Sequence, residues 1–172
     1  MEILAESEQL WLLPHEQLAW RSFIKLDSLL MSRLDVELVE RHGLSLAEYE
    51  VLAHLSEAEG RALRMSALAD LALVSRSGLT RRLEHLVARG LVIKEICPSD
   101  RRGMIARLTK LGQTRLEDAA PTHVAGVRRY LISAFSVGEL QQFTALLQAP
   151  ISELEEAARP GSDCLSSLKG CP

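Results

Sequence analysis

No apolar run in this chain reaches the roughly 18 residues that a membrane span requires, so no transmembrane helix and no membrane partner are expected. The opening residues, Met1-Glu2-Ile3-Leu4-Ala5-Glu6, are acidic where a secretory leader would be basic. Cysteine is scarce: Cys97, Cys164 and Cys171 form an odd set with no metal-ligand spacing, which points to a reduced, cytoplasmic setting. The five histidines, His15, His42, His54, His85 and His123, are scattered. HExxH, Cys–His clustering and a glycine-rich phosphate loop are all missing, so no metal, no cofactor and no enzymatic activity are expected. Glu153, Glu155 and Glu156 read as a solvated helix face rather than as catalytic carboxylates. There is no internal repeat.

What is present is an uneven charge distribution. The 172 residues carry a net charge of -3, which by itself argues against a nucleic-acid partner. Between Arg61 and Arg115, however, twelve basic residues face only four acids, a local excess of +8 that leaves -11 for the rest of the chain. A basic middle between acidic ends is an electrostatic footprint suited to phosphate; the alternative is a merely solvated charged face.

The pattern along the chain is largely helical. Pro14, with Glu16 in the first turn, opens a helix to about Arg41, stopped by Gly43. Ala19, Phe23, Leu26, Leu30 and Leu34 line one stripe of it, and Trp20, Ile24, Met31 and Leu38 a second, so two faces need burial. Ser45 and Glu48 form a capping box for a helix to about Ala58. After an extended piece at Ala62-Leu63-Arg64-Met65, Ser66 is expected to cap a brief helix with Leu68, Ala69 and Leu71 inward. Ser75 is expected to cap the next, from Arg76 to Arg89, with Leu79, Leu83 and Leu86 as its core stripe and Gly90 as its stop. Two short helices across a tight turn read as helix-turn-helix. The period then changes to that of strands at 91–96 and 104–108, joined by a loop over 97–103 with Arg101 and Arg102 at its tip. Helix-turn-helix followed by a basic hairpin is a winged helix. Thr109 caps a helix expected to reach Ala134. Ser136 and Glu139 open a last helix that Pro150 should break or kink, and a flexible tail follows from Arg159.

These residues resemble a known family. Asp100-Arg101-Arg102-Gly103-Met104-Ile105-Ala106-Arg107-Leu108-Thr109-Lys110-Leu111-Gly112 is similar to the wing signature of MarR transcriptional regulators, with Ala106 where the family usually has valine. Leu44-Ser45-Leu46-Ala47-Glu48-Tyr49-Glu50-Val51-Leu52, Ser66-Ala67-Leu68-Ala69 and Gly78-Leu79-Thr80-Arg81-Arg82-Leu83 resemble further pieces of that family, in its order, so that about residues 15 to 155 are covered. The resemblance implies a mostly α fold with a small β-wing: a winged helix-turn-helix lobe plus a platform of N- and C-terminal helices that interlock in a homodimer. The expected divisions are an N-terminal dimerisation helix over 1–44, the DNA-binding lobe over 45–110, C-terminal dimerisation helices over 111–158 and the tail over 159–172.

The implied function is a regulator, expected to be a repressor, that binds a double-stranded DNA operator. Ser77, Thr80 and Arg81 are the expected base readers in the major groove, although Arg81 and Arg82 could equally meet phosphate alone. Arg64 and Arg76 join the DNA-binding set, and Ser66 and Ser75 are caps that could also donate to phosphate. One of Arg101 and Arg102 should enter the minor groove, the alternative being a solvated turn. The resemblance implies that Asp100 pairs with Arg102 to shape the wing, and that a small aromatic or phenolic effector releases the DNA. Trp20, Arg21, Tyr49 and His54 are the pocket candidates, with ordinary core or surface roles as the alternative. Family members that sense peroxide carry a cysteine near the N-terminus, which this chain lacks; Cys97 is the remaining redox candidate, or else a small half-buried filler. A winged helix serving only protein assembly is a further alternative, but it would not need the local +8.

Overall fold

The computed structural model describes residues 11–72, 76–97 and 100–158, and of Arg76, Cys97, Asp100, Arg101, Arg102 and Ala158 the backbone only. Helix α1 (Pro14–His42) starts where expected: Pro14 needs no N–H partner, and the Leu13 N–H donates to the Glu16 carboxylate at 2.7 Å. It stops at Gly43, whose φ of 61° is the left-handed conformation a side chain would strain, and whose N–H donates to the Val39 carbonyl. Among the described residues, both apolar stripes are covered only toward the C-terminal end of the helix. Leu30, Leu34 and Leu38 are buried, whereas Trp20, Phe23, Ile24 and Leu29 remain exposed.

Helix α2 (Leu46–Glu57) carries the predicted capping box. The Ser45 hydroxyl accepts from the Glu48 N–H at 3.2 Å, and the Ser45 N–H donates to the Glu48 carboxylate at 2.9 Å. Asp35 of α1 accepts from the Leu46 N–H at 2.8 Å, so the end of one helix anchors the start of the next. A 3₁₀ turn (Glu59–Arg61) leads into strand β1 (Ala62–Arg64), and β1 runs directly into helix α3 (Met65–Leu71). Two expectations fail here. Arg64, not Ser66, occupies the cap position, because the chain leaves the strand at Arg64 in extended conformation and Ser66 falls within the first turn. Leu71 is exposed rather than inward, since a helix this short buries only the Leu68–Ala69 edge.

Helix α4 (Arg76–Ala88) seats Leu79, Leu83 and Leu86 with no exposed surface. Its end is closed by Gly90, at φ 69°, donating to Val87, and by the Leu91 N–H donating to the Leu86 carbonyl. Strands β2 (Val92–Cys97) and β3 (Asp100–Leu108) follow, and the sheet order is β1-β3-β2, antiparallel throughout. Pairing runs regularly from Val92 opposite Leu108 to Ile96 opposite Met104, then jumps to Cys97 opposite Asp100. The predicted loop over 97–103 is therefore shorter than expected. Strand pairing resumes beyond a bulge, and Arg101, Arg102 and Gly103 are the extra residues on β3.

Thr109 caps helix α5 (Lys110–Tyr130) as predicted: its hydroxyl oxygen accepts from the Gly112 N–H at 3.0 Å and donates to the Gly90 carbonyl at 2.8 Å. Gly112 is required sterically, because a Cβ there would run into the Leu91 carbonyl and the Leu108 side chain. The helix passes through Pro121 but ends at Tyr130, short of Ala134; Leu131 leaves helical geometry (φ -128°) and a 3₁₀ turn follows at Ile132–Ala134. Helix α6 (Val137–Ala158) opens with the second capping box, in which the Ser136 N–H donates to Glu139 at 2.8 Å. Those donors hold the Glu139 carboxyl below its usual range. Pro150 does not break α6. It removes a single N–H on an exposed stretch, where water can satisfy the carbonyl left over.

By compactness the chain forms two units, one running through Arg128 and one from Arg129. Helix α1 groups with the winged lobe because Leu34 and Leu38 are part of the same core as α2 and α4. The predicted tail and the Ser75 cap lie outside the described residues.

Candidate nucleic-acid interface

The three leucines that bury α4 determine what its other side shows. With Leu79, Leu83 and Leu86 inward, helical spacing turns Ser77, Thr80, Arg81 and Glu84 outward, and all four are exposed; Arg82 is half-buried at the edge. Arg64, at the end of β1, and Ser66, in the first turn of α3, are also exposed. The helix therefore offers hydroxyls and a guanidinium on a rigid, leucine-backed element, a shape and donor set that fit a major groove. Arg76, Asp100, Arg101 and Arg102 are placed by their backbone alone, Arg76 at the start of α4 and the other three at the far end of β3.

Arg107 and Arg89, both in the basic stretch, bond within the fold. Arg107 donates to the Gly60 carbonyl at 2.9 Å and lies 3.0 Å from the Glu95 carboxylate, tying β3 to β2 and to the turn before β1. Arg89, one turn past the core leucines, donates to the Gly43 carbonyl at 2.9 Å and approaches the Glu48 carboxylate at 3.6 Å. His85 reaches the same carboxylate at 3.7 Å. Glu48 is nearly buried and so acts as a junction, holding the start of α2 through Ser45 and the end of α4 through Arg89. Sequence reading counted both arginines in the footprint; their real partners lie 46 and 47 residues away and leave no local trace.

The MarR family profile matches residues 42–103, the stretch from the end of α1 through α4 and β2 into the start of β3. AbsC, a MarR family transcriptional regulator from Streptomyces coelicolor, is 36% identical with a TM-score of 0.81, over 86% of this chain and 99% of that one. This chain belongs to the MarR family. A second regulator of the same family and organism, Sco3205, solved in complex with DNA, is 34% identical with a TM-score of 0.82, covering 90% of this chain and 94% of the other. The transcriptional regulator MhqR of Bacillus subtilis is 29% identical over 110 residues, 64% of this chain and 74% of its own length. This MarR-family chain is thus a DNA-binding transcriptional regulator with a winged-helix fold, not an enzyme. Among its described residues no helix is long and apolar enough to cross a membrane, and no group of three or more potential ligands could hold a metal ion.

The four candidate pocket residues do not come together. Tyr49 and His54, on α2, line a cavity of about 500 Å³ with Glu50, Glu57, Leu71 at the end of α3, and His123 of α5. Trp20 and Arg21 lie apart from it on a shallow groove of α1, of about 360 Å³, with Ile24 and Leu29. The Tyr49 and His123 rings stack with centroids 4.5 Å apart. Burial raises the Tyr49 pKa, helped by the Glu57 charge, and burial lowers that of His123 against the opposing pull of Glu50. Both rings are thus held neutral. His123, one of five scattered histidines in the sequence, was missed as a pocket residue because only the meeting of α2 and α5 sets it beside Tyr49. Cys97, the redox candidate, ends β2 opposite Asp100, and its side chain lies outside the described part.

Proposed function

We propose that this regulator acts as a homodimer that reads a pseudo-palindromic operator, represses by occupying it, and is released by a small molecule. The observation that carries the reading is α4, whose polar face is exposed and rigidly backed by buried leucines. Ser77, Thr80 and Arg81 read base edges, while Arg64, Ser66, Ser75, Arg76 and Arg82 serve phosphate. One of the two wing arginines, Arg101 or Arg102, enters the minor groove, with Asp100 shaping the loop beside them. The exposed Trp20–Phe23–Ile24 face of α1 supports the dimer, because an apolar surface of that length calls for a protein partner. The Tyr49–His123 cavity supports effector binding: it touches both α2 and the end of α3, the segment that leads into α4. A regulator of this kind works in the cytoplasm, where the DNA is.

Footprinting on the DNA upstream of the protein's own gene tests the reading. A protected site with two half-sites about 10 bp apart supports a symmetric dimer. Arg102→Ala should fold normally and lose most of the protection. An unchanged footprint would remove the wing from the interface, and a single unsymmetrical half-site would remove the dimer.

A further inference from the structure

We infer that the Tyr49–His123 cavity accepts an aromatic amine, positively charged at neutral pH, rather than a phenol or an aromatic acid. The inference rests on the proposed effector role of this cavity and adds the charge of the ligand. Its walls divide by chemistry. Tyr49 and His123 supply a stacked pair of rings, and Leu71, about half exposed at 51%, supplies an apolar surface that a ligand would cover. Glu50 and Glu57, seven residues or two turns apart on α2, both line the cavity, and no lysine or arginine lines it among the described residues.

That charge pattern discriminates between ligand classes. An aromatic acid would bring a negative charge beside two carboxylates in a partly dehydrated site, with no cation to offset it. A neutral phenol would gain nothing from either carboxylate beyond a hydrogen bond. An ammonium group meets both carboxylates and lies next to neutral aromatic faces, whose quadrupole attracts a cation. His54 could offset one carboxylate when protonated, but not both. A ligand held between α2, α5 and Leu71 would fix the end of α3, and through it the seat of α4, which is how occupancy would reach the DNA.

The test is isothermal calorimetry on the full chain with isosteric pairs of opposite charge: tryptamine against indole-3-acetate, and tyramine against 4-hydroxyphenylacetate. The expected result is binding of the amines about tenfold or more tighter than the acids. The preference should vanish in Glu50→Gln/Glu57→Gln, with folding checked by circular dichroism. Glu57→Gln alone, at an exposed position, serves if the double variant does not fold, and should narrow the preference. Acids binding as tightly as amines, or no saturable amine binding up to millimolar concentration, would overturn the inference. The same ligands added to the protein–DNA complex separate the two levels. Release by an acid leaves the effector reading standing and removes the charge preference. Amine binding with no release keeps the preference and removes the effector role.

Discussion

Helices α1 and α4 both bury a leucine stripe, and they differ in what they leave exposed. Helix α4 presents Ser77, Thr80 and Arg81, donors that water or phosphate can satisfy, with the Glu84 carboxylate beside them in water. Helix α1, over its N-terminal half, presents Trp20, Phe23, Ile24 and Leu29, whose exposure to water is unfavourable by roughly 25 cal/mol for each Å². A polar outer face on a well-packed short helix marks a surface for a charged polymer. An apolar stretch left exposed at one end of a long helix suits another protein. On the proposed reading, the same device, an amphipathic helix, serves two uses within one compact unit.

The contrast can be broken at three points, in decreasing order of effect. Leu83→Ala empties a fully buried position under α4 and should cost about 2–5 kcal/mol of stability in urea unfolding. A loss below about 1 kcal/mol would mean that α4 is not core-seated. Phe23→Ala on the exposed face of α1 should leave the lobe's unfolding nearly unchanged but weaken self-association, by about 1.5–3 kcal/mol for each subunit if the ring is buried between chains. Sedimentation equilibrium reads that shift, and no change would take Phe23 out of the interface. Arg81→Ala should hold stability within about 0.5 kcal/mol while weakening the operator by about 1–3 kcal/mol. Equal weakening on unrelated DNA would reduce Arg81 to a phosphate contact.

A smaller effect sharpens the account of the cavity. Burial keeps the His123 ring neutral in the fold, so protonation favours the unfolded chain. The stability it contributes is complete above the ordinary histidine value of about 6.5 and declines as pH falls from there toward the lower folded value. Urea midpoints at pH 7.5 and 5.5 should therefore differ less in His123→Gln than in the natural chain. An equal drop in both would place the titration on another group.

What could be read from the sequence was what short separations encode. The boxes Ser45–Glu48 and Ser136–Glu139, the Gly43 stop and the Leu79–Leu83–Leu86 stripe each act within one or two turns, and each stands where the pattern put it. The wing was legible in its strands but not in its register, because a bulge at Ile96–Cys97 depends on pairing across the hairpin. Helix α3 begins two residues early because β1 fixes the approach of the chain. Hidden altogether were the bonds that cross the fold: Arg89 to Gly43, Arg107 to Gly60, and Tyr49 against His123. Arginines in a basic stretch look alike in sequence, and only tertiary structure shows that Arg89 and Arg107 hold the lobe together.

The central claim is that α4 and the wing bind a specific duplex as part of a dimer. Fluorescence anisotropy with the upstream DNA, at two salt concentrations, tests it most directly. The account predicts saturable binding with two protomers per site, weaker at the higher salt because bound counterions are released from the phosphates. Binding that is absent at both salts, or equally strong on unrelated DNA, would contradict it.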